Sequence, residues 1–467
     1  MAVVILLICV AFVLCLLAIE KQASASLSLA SWIPTAWMLI AASRPIATWF
    51  YGSGGSVGLS NESGSPIDFW ILTSLGALGF LVLIRRRVNW STTLRQHRWL
   101  FILLVYMLVS AFWSELPLIS LKRWVRQGIV VEMALLLIAE ANPIQALSSV
   151  FRRCAYVCFP LSVVLIKYYP TLGREYGRWS GIQMWSGVAR QKNELGRLCM
   201  ICIFFLLIVA YERWRKQKKP VERRQAWADY FTIAIGLYLL IGSDSETSLV
   251  TLMIGVAIFL GLQWFKKRRL PLLIVQACTI LFVAYGASLP LLGGSPAAAF
   301  TSSLGRDTTL TGRTEVWAEV IPAWKKQPLF GYGIESFWTD TRRDLYEIPN
   351  AHNGYLDIML GFGGVGLGIY IVWFLSCGKQ LHRGLRQHYV WASFAICILF
   401  MILIYNSTES ALDSLGAYPT AVLVLVCVAV PAHLRSRSSA KKVVLCEMKA
   451  GALPLESRVN IGFAVKG

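Results

Sequence analysis

NAHNGYLDIMLGFGGVGLGIY, residues 350–370, admits two incompatible readings. Gly361, Gly363 and Gly366 spell the G-x-G-x-x-G of a dinucleotide-binding loop, which must follow a strand and open a helix. The apolar run that starts at Gly354 instead reads as a helix crossing a bilayer, which takes about 20 residues. Composition decides between them. The chain has 467 residues, 56% of them hydrophobic and only 15% charged, with a mean hydropathy of +0.58. The three glycines lie inside an apolar run, so a nucleotide role is excluded. Gly364 and Gly368 offer a small-xxx-small face for close helix packing instead.

Working outward, apolar stretches recur at 2–19, 27–48, 67–84, 99–116, 127–141, 154–169, 194–211, 227–242, 249–265, 270–291, 354–376, 389–405 and 416–433. The expected fold is an all-α polytopic membrane protein with about 12–13 transmembrane helices. It divides into helices with short loops (1–292), a long outer loop (293–353), C-terminal transmembrane helices (354–433) and a tail (434–467). The first stretch resembles a signal peptide, with Ala23-Ser24-Ala25 as a cleavage site, but it lacks a positive n-region and reads as a span.

The formal net charge of +20 does not point to nucleic acid. The basic residues cluster between apolar runs, at Arg85 through Arg98, Arg152-Arg153, Arg213 through Arg224, Lys266 through Arg269, Lys379 through Arg386 and Arg435 through Lys442. All six clusters fall on one side of the expected topology, which makes that side cytoplasmic and the 434–467 tail with it. The eleven cysteines lie almost entirely in or beside apolar runs and read as small core residues. Cys199-x-x-Cys202 has no second pair and reads as neither a metal nor a redox site.

The opposite side is ordered in pattern. Within 293–353, Val316, Trp317, Val320, Ile321 and Trp324 share one face of a helix capped by Thr311 or Gly312, with Glu315 in its first turn. Pro322 is expected to kink or divide it. Such a helix suits the membrane interface and can at the same time pack on the spans below. Outward cations break the positive-inside rule: Lys122, Arg123 and Arg126; Arg174, Arg178, Arg190 and Lys192; Arg306, Arg313, Arg342 and Arg343. Cations at span ends either snorkel to lipid headgroups or meet an anion. Arginine's fork and lysine's point charge both suit phosphate. Of the five histidines, only His352 maps outward. Glu315, Glu335, Asp340, Asp357 and Glu409 are the outward carboxylates. A positioned base beside preorganised cations is what displacement of a diphosphate by a hydroxyl requires.

Four stretches, WSELPLISLKRWVRQG (113–128), GVARQKNELGRL (187–198), TGRTEVWAEVIPAWKKQPLFGYGIESFW (311–338) and NAHNGYLDIMLGFGGVGLGIY (350–370), carry a resemblance. In this order and spacing they resemble the O-antigen ligase and polymerase superfamily of bacterial membrane glycosyltransferases, over roughly residues 65–430. The KN-E-L-G and NSTES stretches make the succinoglycan-type exopolysaccharide polymerases the nearest likeness. The resemblance implies a C-type glycosyltransferase fold in the bacterial inner membrane, with a structured outer loop over the site. It implies transfer of glycan from an undecaprenyl-diphosphate carrier to an acceptor at the periplasmic face, with no cofactor, metal or nucleotide sugar. Implied partners are the lipid-linked oligosaccharide, membrane lipid, a chain-length regulator and export machinery. Matched by position, His352 and Arg313 are the implied catalytic pair. Arg190 and Lys192 are implied to bind diphosphate, with Asn193 and Asn353 orienting; Arg123 and Arg126, as outward cations, are further diphosphate-binding candidates, and Glu315 and Glu409, as outward carboxylates, supporting ones. One departure stands out: GSDSETS (242–248) carries Glu246 where many relatives have a basic residue. The acceptor is not encoded, so ligation to a lipid core or protein is an alternative to polymerisation. A transporter is a more distant one, disfavoured because the spans hold little charge at mid-depth.

Overall fold

The computed structural model describes residues 1–51, 64–86, 88–176, 181, 183–215, 220–268, 270–292 and 313–433. Arg178, Arg306, the cap at Thr311 or Gly312, most of the 49–66 loop and the 434–467 tail lie outside them. The fold is an all-α polytopic membrane protein. Its helices are α1 (Ala2–Ala23), α2 (Trp32–Ala42), α3 (Ile46–Tyr51), α4 (Pro66–Arg85), α5 (Trp90–Gln96), α6 (Arg98–Ser110), α7 (Pro117–Ile138), α8 (Pro143–Tyr168) and α9 (Pro170–Gly173). A two-stranded antiparallel hairpin, β1 (Arg174–Tyr176) with β2 (Gln183–Trp185), follows. Then come α10 (Lys192–Arg215), α11 (Pro220–Gly242), α12 (Glu246–Trp264), α13 (Leu272–Leu291), α14 (Arg313–Lys326), α15 (Asp340–Tyr346), α16 (Gly354–Gly384), α17 (Tyr389–Tyr405) and α18 (Tyr418–His433).

Every expected apolar stretch falls on helix, but the helices differ in reach. Among the described residues, seven are long and apolar enough to cross a membrane, and α5 with α6, bent by 82°, makes an eighth. The expected second, twelfth and thirteenth spans are shorter apolar helices. α7 and α11 have 22 and 23 residues but carry several charges. α7 also starts ten residues before its expected edge, because Pro117 at the first turn suits a helix start. Lys122, Arg123 and Arg126 therefore stand on a helix, not in a loop. The core is formed by α8, α10, α16, α17 and α18, whose facing side chains are almost wholly buried, while α1 and α4 turn most of their surface outward.

Arginines of two basic clusters meet buried acids within the bundle. Arg153 pairs with Glu20 at 2.7 Å and stacks over Trp32, while Arg152 and Arg213 share Asp229 at 3.2 and 2.6 Å. Glu20 and Asp229 are fully buried, so these pairs compensate charges that would otherwise be isolated in a low dielectric.

The glycine run of α16 does something other than pack against a neighbouring helix. A Cβ at Gly368 would meet open space and one at Gly364 would meet the Pro328 carbonyl at 3.5 Å, so the Gly364/Gly368 face does not pack on a helix. The helix breaks at Gly363, whose φ of 65° and ψ of −168° belong to a region only glycine visits without strain. A break inside a membrane leaves backbone groups that must find partners. Residues 328–333 supply them. Gly364 N and Val365 N donate to Pro328 O and Leu329 O at 2.8 and 3.1 Å; Leu360 O and Gly361 O accept from Tyr332 N and Gly333 N, both at 2.8 Å. Tyr106 Oη donates to the remaining carbonyl, Phe362 O, at 2.8 Å. α14, just before this segment, packs Trp317 and Val320 against Leu289, Leu356, Met359 and Leu360. The packed reading of α14 holds, and Pro322 lies inside the helix without dividing it.

A Cβ at position 363 would stand 2.2 Å from the Leu329 carbonyl carbon. Gly363→Ala should therefore lower the melting temperature of the purified protein. The backbone conformation alone contributes about 1–3 kcal/mol, and an unchanged melting curve would contradict this account of the break.

Candidate active site

The site is built on the start of α16. Asn353 caps that helix, its Oδ1 accepting from Tyr355 N and Leu356 N at 3.0 and 2.9 Å. Its Nδ2 donates to Gly286 O and Ser407 O, both at 2.9 Å. A serine or aspartate could cap equally well but has no pair of amide donors to tie in α13 and the segment after α17. Gly354 N bonds Asn406 O and Glu409 O at 2.9 and 3.0 Å, an approach that a Cβ, 2.3 Å from Asn406 Oδ1, would prevent. His352 sits just ahead on a left-handed turn, φ 48°, with its N–H on Asn350 Oδ1 at 3.0 Å.

Three segments then converge on one carboxylate. Glu409 is 5% exposed. Its Oε1 accepts from Arg313 Nη2 at 2.6 Å and from Asn193 Nδ2 at 2.9 Å. Its Oε2 faces His352 Nδ1 at 3.7 Å, just beyond hydrogen-bond length. The side chains of Arg313 and His352 remain 17% and 25% exposed. The charge is thus held below while a guanidinium and an imidazole reach the surface.

Arg190 and Lys192 come from the loop that enters α10. Arg190 pairs with Glu194 at 2.8 Å, and Arg197 shares that carboxylate at 3.3 Å. The Arg190 side chain is 62% exposed. Lys192 Nζ lies 3.5 Å from Asp244 and its N–H donates to Glu175 at 2.7 Å. Asp244 stands in the departing GSDSETS turn, so that turn meets Lys192 through an acid, while Glu246 opens α12. Arg44 organises this loop and was missed in the sequence, where it was counted inside the second span. It donates to Gly187 O and Ala189 O at 2.8 Å each, and also to Leu172 O. It is the same signal as the others, a cation at the outer end of an apolar run.

The remaining candidates lie apart from Glu409. Arg123 is 5% exposed and donates to Glu335 O in the segment that closes the α16 break. Arg126 is exposed on α7 and Glu315 on α14. A carboxylate group the sequence did not single out lies near Arg123's neighbours. Burial, and then Asp357 and Glu335, push Asp413 up to about 8.

The O-antigen ligase family model matches residues 231–371, a range that holds Arg313, His352 and Asn353 and ends before Glu409. The superfamily likeness read from the four stretches is borne out by this match. The chain is also similar to the exopolysaccharide production protein ExoQ of Rhizobium meliloti (strain 1021), with 25% identity over 287 residues, covering 58% of this chain. The match spans 61% of that relative's length.

Two outcomes follow. Asn353→Ala should lower the melting temperature, since a lost cap costs about 0.5–2 kcal/mol and two buried carbonyls lose their donor as well. Asp413 binds its proton more tightly folded than unfolded. Its contribution is fully present below about pH 4, the unfolded value, and disappears as pH rises through about 8. Melting temperatures across that interval should fall in the wild type relative to Asp413→Asn; parallel curves would contradict the assignment.

Proposed function

We propose that the protein polymerises undecaprenyl-diphosphate-linked oligosaccharide repeat units into exopolysaccharide or O-antigen, at the periplasmic face of a bacterial inner membrane. The observation that carries this is the meeting of Arg313, Asn193 and His352 on Glu409 at one end of the bundle. A base beside a cation at the membrane boundary suits an acceptor hydroxyl attacking a lipid-borne anomeric carbon.

In this reading His352 takes the acceptor proton on Nε2 while Glu409 steadies the imidazolium through Nδ1. The new bond forms between the acceptor oxygen and the anomeric carbon. The bond from that carbon to the phosphate oxygen breaks, and the polyprenyl diphosphate leaves with its electron pair. Arg313, with Arg190 and Lys192 on the neighbouring loop, stabilises the charge that builds on the leaving group. No metal or nucleotide sugar enters the reaction. A chain-length regulator and export machinery would act on the product.

Similarity to an exopolysaccharide production protein favours polymerisation. The family description favours a second reading, ligation of the lipid-linked glycan to a lipid core or protein. Purified protein incubated with the lipid-linked oligosaccharide alone separates them: chain growth supports the polymerase, and transfer only after a lipid core is added supports the ligase. His352→Ala and Arg313→Ala should each reduce the rate by about 100-fold or more, as loss of a general base or an oxyanion-stabilising group does. Full activity in either variant sinks the site assignment.

A further inference from the structure

Asp357 lies one turn into α16 and is 3% exposed. Its carboxylate is enclosed by donors from three segments. Oδ1 accepts from Trp338 Nε1 at 2.8 Å and from Ala351 N at 3.3 Å; Oδ2 accepts from Ser410 Oγ. Ala351 immediately precedes His352, and Ser410 immediately follows Glu409. Trp338 ends the segment that begins at the α16 break. One side chain therefore bonds the neighbour of each member of the His352–Glu409 pair and the wall behind them.

Arg313 and Asn193 hold the Glu409 carboxylate, but the His352 ring has less to set its place. His352 stands on a left-handed turn, a conformation that surrounding structure must impose on a side-chain-bearing residue. Among the described residues its Nδ1 has no hydrogen-bond partner, so that nitrogen does not anchor the ring. Glu409 reaches the ring only at 3.7 Å. The constraint comes from the backbone on either side, which Gly354 N ties to Glu409 O at 3.0 Å and which the Asp357 side chain ties a second time through Ala351 and Ser410.

We propose that Asp357 is a positioning residue that fixes the distance between His352 and Glu409. It takes no part in proton transfer, since all its bonds run to protein donors. The inference rests on the proposed role of His352 in glycosyl transfer. Asp357→Asn keeps a carbonyl oxygen for Trp338 and Ala351, and its amide can donate to Ser410. Asp357→Ala removes all three bonds, and Ser410→Ala removes one without emptying the buried site.

The test uses the full-length protein in lipid nanodiscs and two readouts. The first is chain growth on a polyprenyl-diphosphate-linked oligosaccharide. Asp357→Ala should lose about 10- to 100-fold in kcat, the scale of a misplaced catalytic group, with the donor KM held within about 2-fold. Asp357→Asn should recover most of that loss, and His352→Ala should show no further loss when Asp357→Ala is added. The second readout is the acylation rate of His352 by diethylpyrocarbonate, followed by mass spectrometry, which needs no turnover. It should change in Asp357→Ala and in Ser410→Ala and stay near the wild-type value in Asp357→Asn. An unchanged acylation rate in both Asp357→Ala and Ser410→Ala overturns the proposal even if no variant polymerises. Failure of Asp357→Asn to restore kcat, or losses that multiply with His352→Ala, overturns it as well. A fully active His352→Ala would instead remove the underlying reaction scheme, leaving the acylation rates to decide the positioning role.

Discussion

Backbone amides and carbonyls in a membrane must be paired within the protein, and at Gly363 this constraint reaches across the fold. α16 stops being helical there, and residues 328–333 take the hydrogen bonds that the helix gives up. The exchange fixes where α14 ends and where the following segment runs. Ile334 N is then held by Ser110 Oγ at 3.1 Å, and Ser336 by Ser114 at 2.9 Å. Two residues on, Trp338 reaches Asp357. Without the break this segment would have no place in the bundle, and the His352 turn would lack its wall.

The site separates its charges with care. Glu409 is the buried anion, and the groups that meet it are a guanidinium, a neutral amide and a ring. Arg190 and Lys192 have acids of their own, Glu194 and Asp244. Each cation keeps part of its side chain open to solvent, although Glu194 itself is buried. A second anion can therefore reach these cations from the solvent side. Arg123, by contrast, is buried against a carbonyl and serves the scaffold.

Most of the fold was legible because a membrane imposes simple rules on a sequence. Apolar runs became helices, and arginines between them met carboxylates of neighbouring helices. Cation spacing and the lone outward histidine led to the start of α16, and Glu409 was on the page as a supporting residue. What could not be read were features made by pairing distant segments. The meaning of Gly363 depends on Pro328 to Gly333, and nothing local distinguishes a helix-breaking glycine from a packing one. Charge misled the start of α7, because a buried Arg123 becomes acceptable only once Glu335 supplies a carbonyl. Asp357 is one more outward carboxylate in the sequence, and only the fold brings Trp338, Ala351 and Ser410 onto it. Arg44 was hidden by an apolar run drawn too long.

The pair between Glu20 and Arg153 bears on how the chain is assembled. Glu20 ends α1, and its partner lies 133 residues further along, in α8. α1 is otherwise apolar and presents most of its surface outward. It can enter the bilayer early, but its carboxylate has no counter-charge until α8 has been synthesised and inserted. Until then Glu20 must stay at the aqueous boundary or carry a proton, because an unpaired buried charge is costly. The ion pair thus acts as a latch in the order of synthesis, tying α1 down only after α8 arrives.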